Sequence, residues 1–105
     1  MRLWVDDLRP APSEDAAWVH MVSSEAAIAQ LDWWRSYGVP VEEVSLDHDL
    51  GGDDTSMPVV DWMREHDCWP DEVTVHTANP VGRENLLRAL NADAPAEVAI
   101  SIRTW

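Results

Sequence analysis

Three short stretches concentrate the side chains able to do acid–base or phosphate chemistry. They are Asp6-Asp7 with Arg9 close behind, Asp47-His48-Asp49, and His76-Thr77 followed by Asn79-Pro80-Val81-Gly82-Arg83. Two ionised carboxylates about 5 Å apart repel by roughly 3 kcal/mol at an effective dielectric near 20. Three or four in one pocket would consume much of a domain's total stability of about 5–15 kcal/mol. If Asp6, Asp7, Asp47 and Asp49 meet, they must therefore hold a proton or bind a cation. Oxygen ligands of this kind suit Mg²⁺ or Mn²⁺ with waters left in the shell. The competing reading is four solvated loop acids or helix caps. His76 stands just before Thr77 and a Pro-started helix, whose first N–H groups and dipole attract an anion. Gly82 would allow a ligand close to the backbone, and Arg83 would add a fork of donors. That makes a phosphate cradle with His76 placed to move a proton; the competing reading is an ordinary capped helix start. His48 lies between two acids and, by strand alternation, turns away from them. His20 and His66 have no partner legible in the sequence.

The elements that must position these groups are legible from periodicity. Arg2–Asp6 reads as a strand, Asp7–Ala16 as a loop punctuated by Pro10, Pro12 and Ser13, and Ala17–Val22 as a second strand. Ser23 and Ser24 are N-cap candidates for a helix ending before Gly38. Its apolar stripe is Ala27, Ile28, Leu31 and Trp34, with Trp33 off the stripe. Glu43–Asp47 is a third strand and Gly51–Ser56 a polar turn. A second helix starts near Pro58 and runs to about Asp67. Glu72–His76 is a fourth strand, Asn79-Pro80 opens a third helix carrying Leu86, Leu87 and Leu90, and Val98–Ile102 is a fifth strand. Strands alternating with helices predict a five-stranded, mostly parallel α/β sheet, and ligands of such sheets sit beyond the carboxyl ends of the strands. The strands alternate in polarity, whereas strands covered on both faces are near-continuously apolar. The first connection is also too short for a helix. Three helices on one face and a nearly bare second face are expected, the latter carrying Arg2, Trp4, Ser45, Thr74, Ala99, Ser101 and Arg103.

The chain has 105 residues, enough for one domain with a single core. Twenty acids face seven bases, all of them Arg, for a net charge of −13. Such a charge repels nucleic-acid backbones and anionic membranes, so neither a long nucleic acid nor a membrane is an expected partner. No apolar run is long enough to span a bilayer, and Arg2 to Asp7 turns acidic before a signal peptide could form, which predicts a cytoplasmic protein. Cys68 stands alone, which excludes an internal disulfide and a Cys-based zinc site.

Asp6-Asp7, Asp47 and Thr77-Ala78, each after its strand, resemble the response-regulator receiver domain. The strings Leu-Trp-Val-Asp-Asp-Leu-Arg-Pro-Ala-Pro, Ser-Leu-Asp-His-Asp-Leu-Gly and Val-His-Thr-Ala-Asn-Pro-Val-Gly-Arg-Glu-Asn are more similar to a derived branch, the cyclic-phosphate processing receiver domain. The resemblance implies a flavodoxin-like fold lacking the first and last receiver helices. It also implies a divalent metal, Mg²⁺ or Mn²⁺, on Asp6, Asp7 and Asp47, with Thr77 contacting the phosphoryl group. The Lys that an ordinary receiver places after its last strand is missing, and Arg103 is no equivalent. His48, Asp49, His76, Asn79 and Arg9 stand in addition to the receiver set.

The resulting expectation is a metal-assisted phosphodiesterase acting on a small cyclic phosphate or cyclic nucleotide. His76 would be the general acid or base, Asp49 or His48 the second proton-transfer group, and Arg9, Asn79 and the backbone at Gly82 the phosphate holders. Two rivals are a module that binds a cyclic nucleotide without cleaving it and a degenerate receiver acting through protein contacts. The bare sheet face suggests a homodimer packed through it; the alternative is a cover from the Arg9–Ala16 loop or Trp105.

Overall fold

The computed structural model describes residues 1–13 and 17–104. The end of the loop expected to run to Ala16, and any cover from Trp105, lie outside the described residues. Five four-residue strands, β1 (Arg2–Val5), β2 (Trp18–Met21), β3 (Glu43–Leu46), β4 (Glu72–Val75) and β5 (Ala99–Ile102), form one sheet in the order β2-β1-β3-β4-β5. Every pair is parallel, and Leu3, Val44, Val73 and Ile100 lie in one row across the sheet. The strands therefore end at one level, so residues 6, 47 and 76 emerge side by side.

Helices α1 (Ser24–Ser36), α2 (Met57–Glu65) and α3 (Pro80–Asp93) pack as a row, α1 on α2 and α2 on α3. Ser23 caps α1 by accepting the Ala26 N–H at 3.1 Å, and Gly38 leaves the helix at φ +66°. The expected stripe is inside: Ala27, Leu31 and Trp34 are buried, Ile28 half-buried, and Trp33 is exposed. They meet Leu3, Val5, Val44, Leu46, Val73 and Val75 from the sheet, together with Val59, Val60 and Met63 of α2 and Leu86 and Leu90 of α3. Element ends differ from the periodicity reading by one or two residues, as terminal turns do.

The second sheet face is not bare. Trp4 is 1 % exposed, and Glu43, Ser45, Thr74 and His76 are all buried. Arg9 and Trp18 close over its Trp4: the Trp4 indole N–H donates to the Arg9 carbonyl at 2.8 Å, and Trp18 meets Trp4 edge-on. Glu43 is held by Arg2 at 2.6 Å and by the Thr74 hydroxyl at 2.8 Å, so alternation marked a polar buried layer rather than a solvated one. Of the residues expected to be open, Trp4, Ser45 and Thr74 are enclosed, while Arg2 and Ser101 are half-buried and Ala99 and Arg103 exposed. The middle of this face is filled within one chain, which removes the reason given for a dimer through it.

Trp4→Ala is therefore expected to act as a core deletion, lowering stability by roughly 3–5 kcal/mol. Denaturant unfolding should show that loss with no change in the mass measured by light scattering; a halved mass with near-wild-type stability would restore the open-face reading.

Candidate active site

Asp6 follows β1 and is fully buried. Its Oδ1 accepts the backbone N–H groups of Leu8 and Arg9, both at 2.8 Å. Its Oδ2 faces His76 Nε2 at 3.0 Å and accepts from Arg9 Nε at 3.3 Å. Four donors thus fill the four acceptor positions of one carboxylate. Burial works to raise its pKa, but the Arg9 and Leu8 N–H groups and His76 outweigh it and hold Asp6 below the ordinary carboxylate value. His20 Nε2 lies 2.6 Å from the Asp6 carbonyl oxygen.

His76 is placed as a support of Asp6. Its side chain is fully buried, its Nδ1 lies 2.8 Å from Ser45 Oγ, and its ring stacks on Trp4 at 3.8 Å and 7°. An ionised Asp6 only accepts, so Nε2 carries the proton and Nδ1 accepts from Ser45. Burial is the main cause that pulls the His76 pKa down, to about 4, against the opposing pull of Asp6. The ring is thus neutral at pH 7. The expectation of a proton-transferring His76 at the strand end meets a ring with both nitrogens taken, because position 76 shares the parity of Trp4, Ser45 and Thr74.

Oxygens of Asp6, Asp7 and Asp47 lie within 4.8 Å of one another, so the sheet does bring this trio together. Asp47 is pushed up by burial, with the Thr77 hydroxyl pulling it down and the Asp6 charge adding to the rise. Asp7 and Asp47 are half-exposed. These two retain free acceptor positions, whereas Asp6 would have to release the long Arg9 Nε contact. Two carboxylates plus water are an ordinary Mg²⁺ holder, so the donor set fits the implied dication with Asp7 and Asp47 as its ligands and Asp6 beside them.

Asp6, Arg9, Asp47, Asp49, Thr77 and Asn79 line a cleft of about 350 Å³ above the strand ends. Asp49 projects into it, with Oδ2 taking the Asn79 amide at 3.0 Å and Oδ1 3.1 Å from His48 Nδ1. Asn79 and then His48 keep Asp49 below the ordinary value, hence ionised. His48 itself is not among the cleft's lining residues. Its ring lies against the Cα of Gly82, where an added Cβ would overlap His48 Cγ. Gly82 thus makes room for His48 rather than for a ligand. Nor are the first N–H groups of α3 open, since Asn79 Oδ1 accepts those of Val81 and Gly82 at 3.1 Å each. Arg83, half-buried in the first turn, lies outside the acidic cleft.

The sequence profile of the cyclic-phosphate processing receiver domain matches residues 1–92. The chain belongs to that family. No curated protein and no solved structure matches it. In this cyclic-phosphate processing receiver domain the acidic trio stands at the ends of β1 and β3, while α3 follows directly from the loop that carries Thr77 and Asn79. Ser45, Trp4 and His20 belong to the site's support and were not singled out by residue type. The signal available for two of them was their strand parity with His76. Among the described residues no helix is long and apolar enough to cross a membrane. Burial pushes the Cys68 thiol up, away from reactivity.

Because the folded value of His76 lies below its ordinary 6.5, the folded state prefers the neutral ring. Its contribution to stability is full above pH 6.5 and is lost as pH falls toward 4. Denaturant midpoints across that window should fall in the wild type and flatten in His76→Gln; equal slopes would place the ring in solvent. Gly82→Ala should destabilise the fold by about 1–3 kcal/mol through overpacking, where helix propensity alone predicts a gain, and should shift the His48 ring resonances in NMR.

Proposed function

We propose that this domain hydrolyses the cyclic phosphodiester of a small nucleotide, in the setting of RNA repair or nucleotide-based signalling and conflict. The observation that carries the reading is one cleft lined by both ionisable oxygens and phosphate donors: Asp47 and Asp49 together with Arg9, Thr77 and Asn79. Membership of the cyclic-phosphate processing family supports the substrate class. A divalent ion on Asp7 and Asp47 would supply charge to a phosphoryl oxygen and lower the pKa of water there. Arg9 offers its remaining guanidinium N–H groups to the phosphate, since Nε and Nη2 are engaged by Asp6 and the His76 carbonyl. The Thr77 hydroxyl, now on Asp47, is a second donor within the same wall. Asp49 is the cleft group that takes or returns a proton, backed by His48 through Nδ1 and aimed by Asn79. His76 acts through Asp6: it keeps that carboxylate ionised and fixes the loop from which Arg9 reaches the cleft.

A second reading, capture of a cyclic nucleotide without cleavage, is favoured by one observation. The histidine best suited by sequence to proton transfer has both nitrogens engaged.

The test is incubation of the protein with nucleoside 2′,3′- and 3′,5′-cyclic phosphates and Mn²⁺, resolved by chromatography. A linear monophosphate that fails to form with Asp49→Asn supports hydrolysis. Ligand bound yet recovered unchanged supports capture, and neither outcome sends the function to protein contacts. Mg²⁺ or Mn²⁺ should also raise Tm, because an ion that binds only the folded state stabilises it. Asp47→Asn should abolish that rise while keeping or increasing metal-free stability, since it removes a charge that burial disfavours. A wild type indifferent to millimolar divalent ions would remove the metal from the proposal.

A further inference from the structure

The turn Gly51–Ser56, polar by composition, belongs to a closed hairpin between β3 and α2. Asp49 bridges Thr55 in antiparallel fashion, and the Leu50 N–H donates to the Asp54 carbonyl at 3.0 Å. The Ser56 N–H donates to the His48 carbonyl at 3.0 Å, and Ser56 Oγ to the Asp47 carbonyl at 2.5 Å. The Asp54 N–H closes the tip on the Gly51 carbonyl at 3.1 Å, with Gly51 and Gly52 at φ +90° and +57°. Leu50 is buried and anchors the hairpin in the core.

Two contacts at the tip reach beyond the hairpin. Asp54 accepts from both the backbone N–H and the hydroxyl of Ser24, at 2.8 and 2.5 Å, which ties the tip to the first residue of α1. Gly51 meets Asp7: a Cβ added at Gly51 would stand 3.2 Å from Asp7 Oδ2, closer than ordinary van der Waals contact. Gly52, next in the same turn, has nothing within 4 Å of its own Cβ position. Asp6 is aimed by four donors, whereas the Asp7 carboxylate has no hydrogen bond or ion pair among the described residues. Its direction is therefore set by the space its neighbours leave.

We propose that Gly51 is a positioning residue for the divalent ion: its missing side chain makes the room in which the Asp7 carboxylate stands beside Asp47, and the Asp54–Ser24 tie keeps that room in place. Asp47 begins the same hairpin, so one closed piece of chain sets the place of both ligands. Through the tie, α1 supports the site without offering it a ligand. A side chain at Gly51 would turn Asp7 toward solvent, and a released tip would cost the pair its preorganisation. The inference rests on the divalent-ion part of the reading above.

The experiment is calorimetry with Mn²⁺ alone, joined to the Mn²⁺-induced rise in Tm, on the wild type, Gly51→Ala and Gly52→Ala. Both substitutions put an L side chain at positive φ, but only the first meets Asp7. Gly52→Ala thus measures what backbone strain does by itself. Gly51→Ala should weaken Mn²⁺ binding by about 10–100-fold, as when a ligand loses its outer support, while Gly52→Ala binds like the wild type. Equal affinities in the two variants overturn the proposal. Ser24→Pro is the second route. It keeps the net charge, suits the first position of a helix, and follows a Ser23 already extended at φ −143° and ψ 160°, as a proline requires. It removes both donors to Asp54 and should lower Mn²⁺ affinity by about tenfold; an unchanged affinity overturns the role of the tie, and decides the proposal if Gly51→Ala does not fold. A wild type that binds no Mn²⁺ overturns the metal reading and this proposal together. A wild type that binds while Gly51→Ala matches Gly52→Ala overturns this proposal and leaves the metal reading standing.

Discussion

The burial of one ionised carboxylate constrains the rest of the molecule. Asp6 has no contact with water, and an uncompensated buried charge costs several kcal/mol. It is compensated by donors from three places: two backbone N–H groups of its own loop, the Arg9 side chain, and His76 some seventy residues away. Each donor then needs its own support. His76 requires Ser45 on Nδ1 and Trp4 against its ring, and Trp4 requires the Arg9 carbonyl for its indole N–H. The circuit closes on Arg9, whose backbone and side chain serve both ends. Through it the polar layer of the sheet, the first loop and the groups that line the cleft become one cooperative unit.

Arg9 also divides the surface above the strands. On one side its guanidinium borders the acids of the cleft; on the other it joins Arg83 and Arg103. On the cleft side, the rigid string from Gly82 through His48 and Asp49 to Asn79 ties α3 to the loop after β3.

The framework was legible because its signals are periodic: the stripe Ala27, Leu31 and Trp34, the Asn79-Pro80 helix start, and apolar alternation in each strand all point to a parallel sheet with helices in a row. The acids at the ends of two strands were legible from position alone. What misled was the meaning of polarity on the second face. Glu43, Ser45, Thr74 and His76 look solvent-facing as types, but each has a partner from another strand or ring, and pairing across strands is invisible in a one-dimensional pattern. Gly82 misled similarly. An absent side chain says that something comes close, not what; here it is His48. Arg103 is legible as a residue of the second sheet face and as an unsuitable substitute for a missing Lys, but its nearness to Arg83 depends on strand order.

The sheet order has a consequence for the time course of synthesis. With all neighbours parallel, no strand can pair with the next through a tight hairpin, and every pairing waits for a long stretch of chain. Asp6 leaves the ribosome early and spends the translation of some seventy further residues as an ordinary solvated acid. Only when β4 has emerged can His76 reach it. Contacts so distant in sequence slow folding, and they also make the pocket an all-or-none product: a nascent or truncated chain that stops before His76 has the acids but not the scaffold that gives them their different strengths.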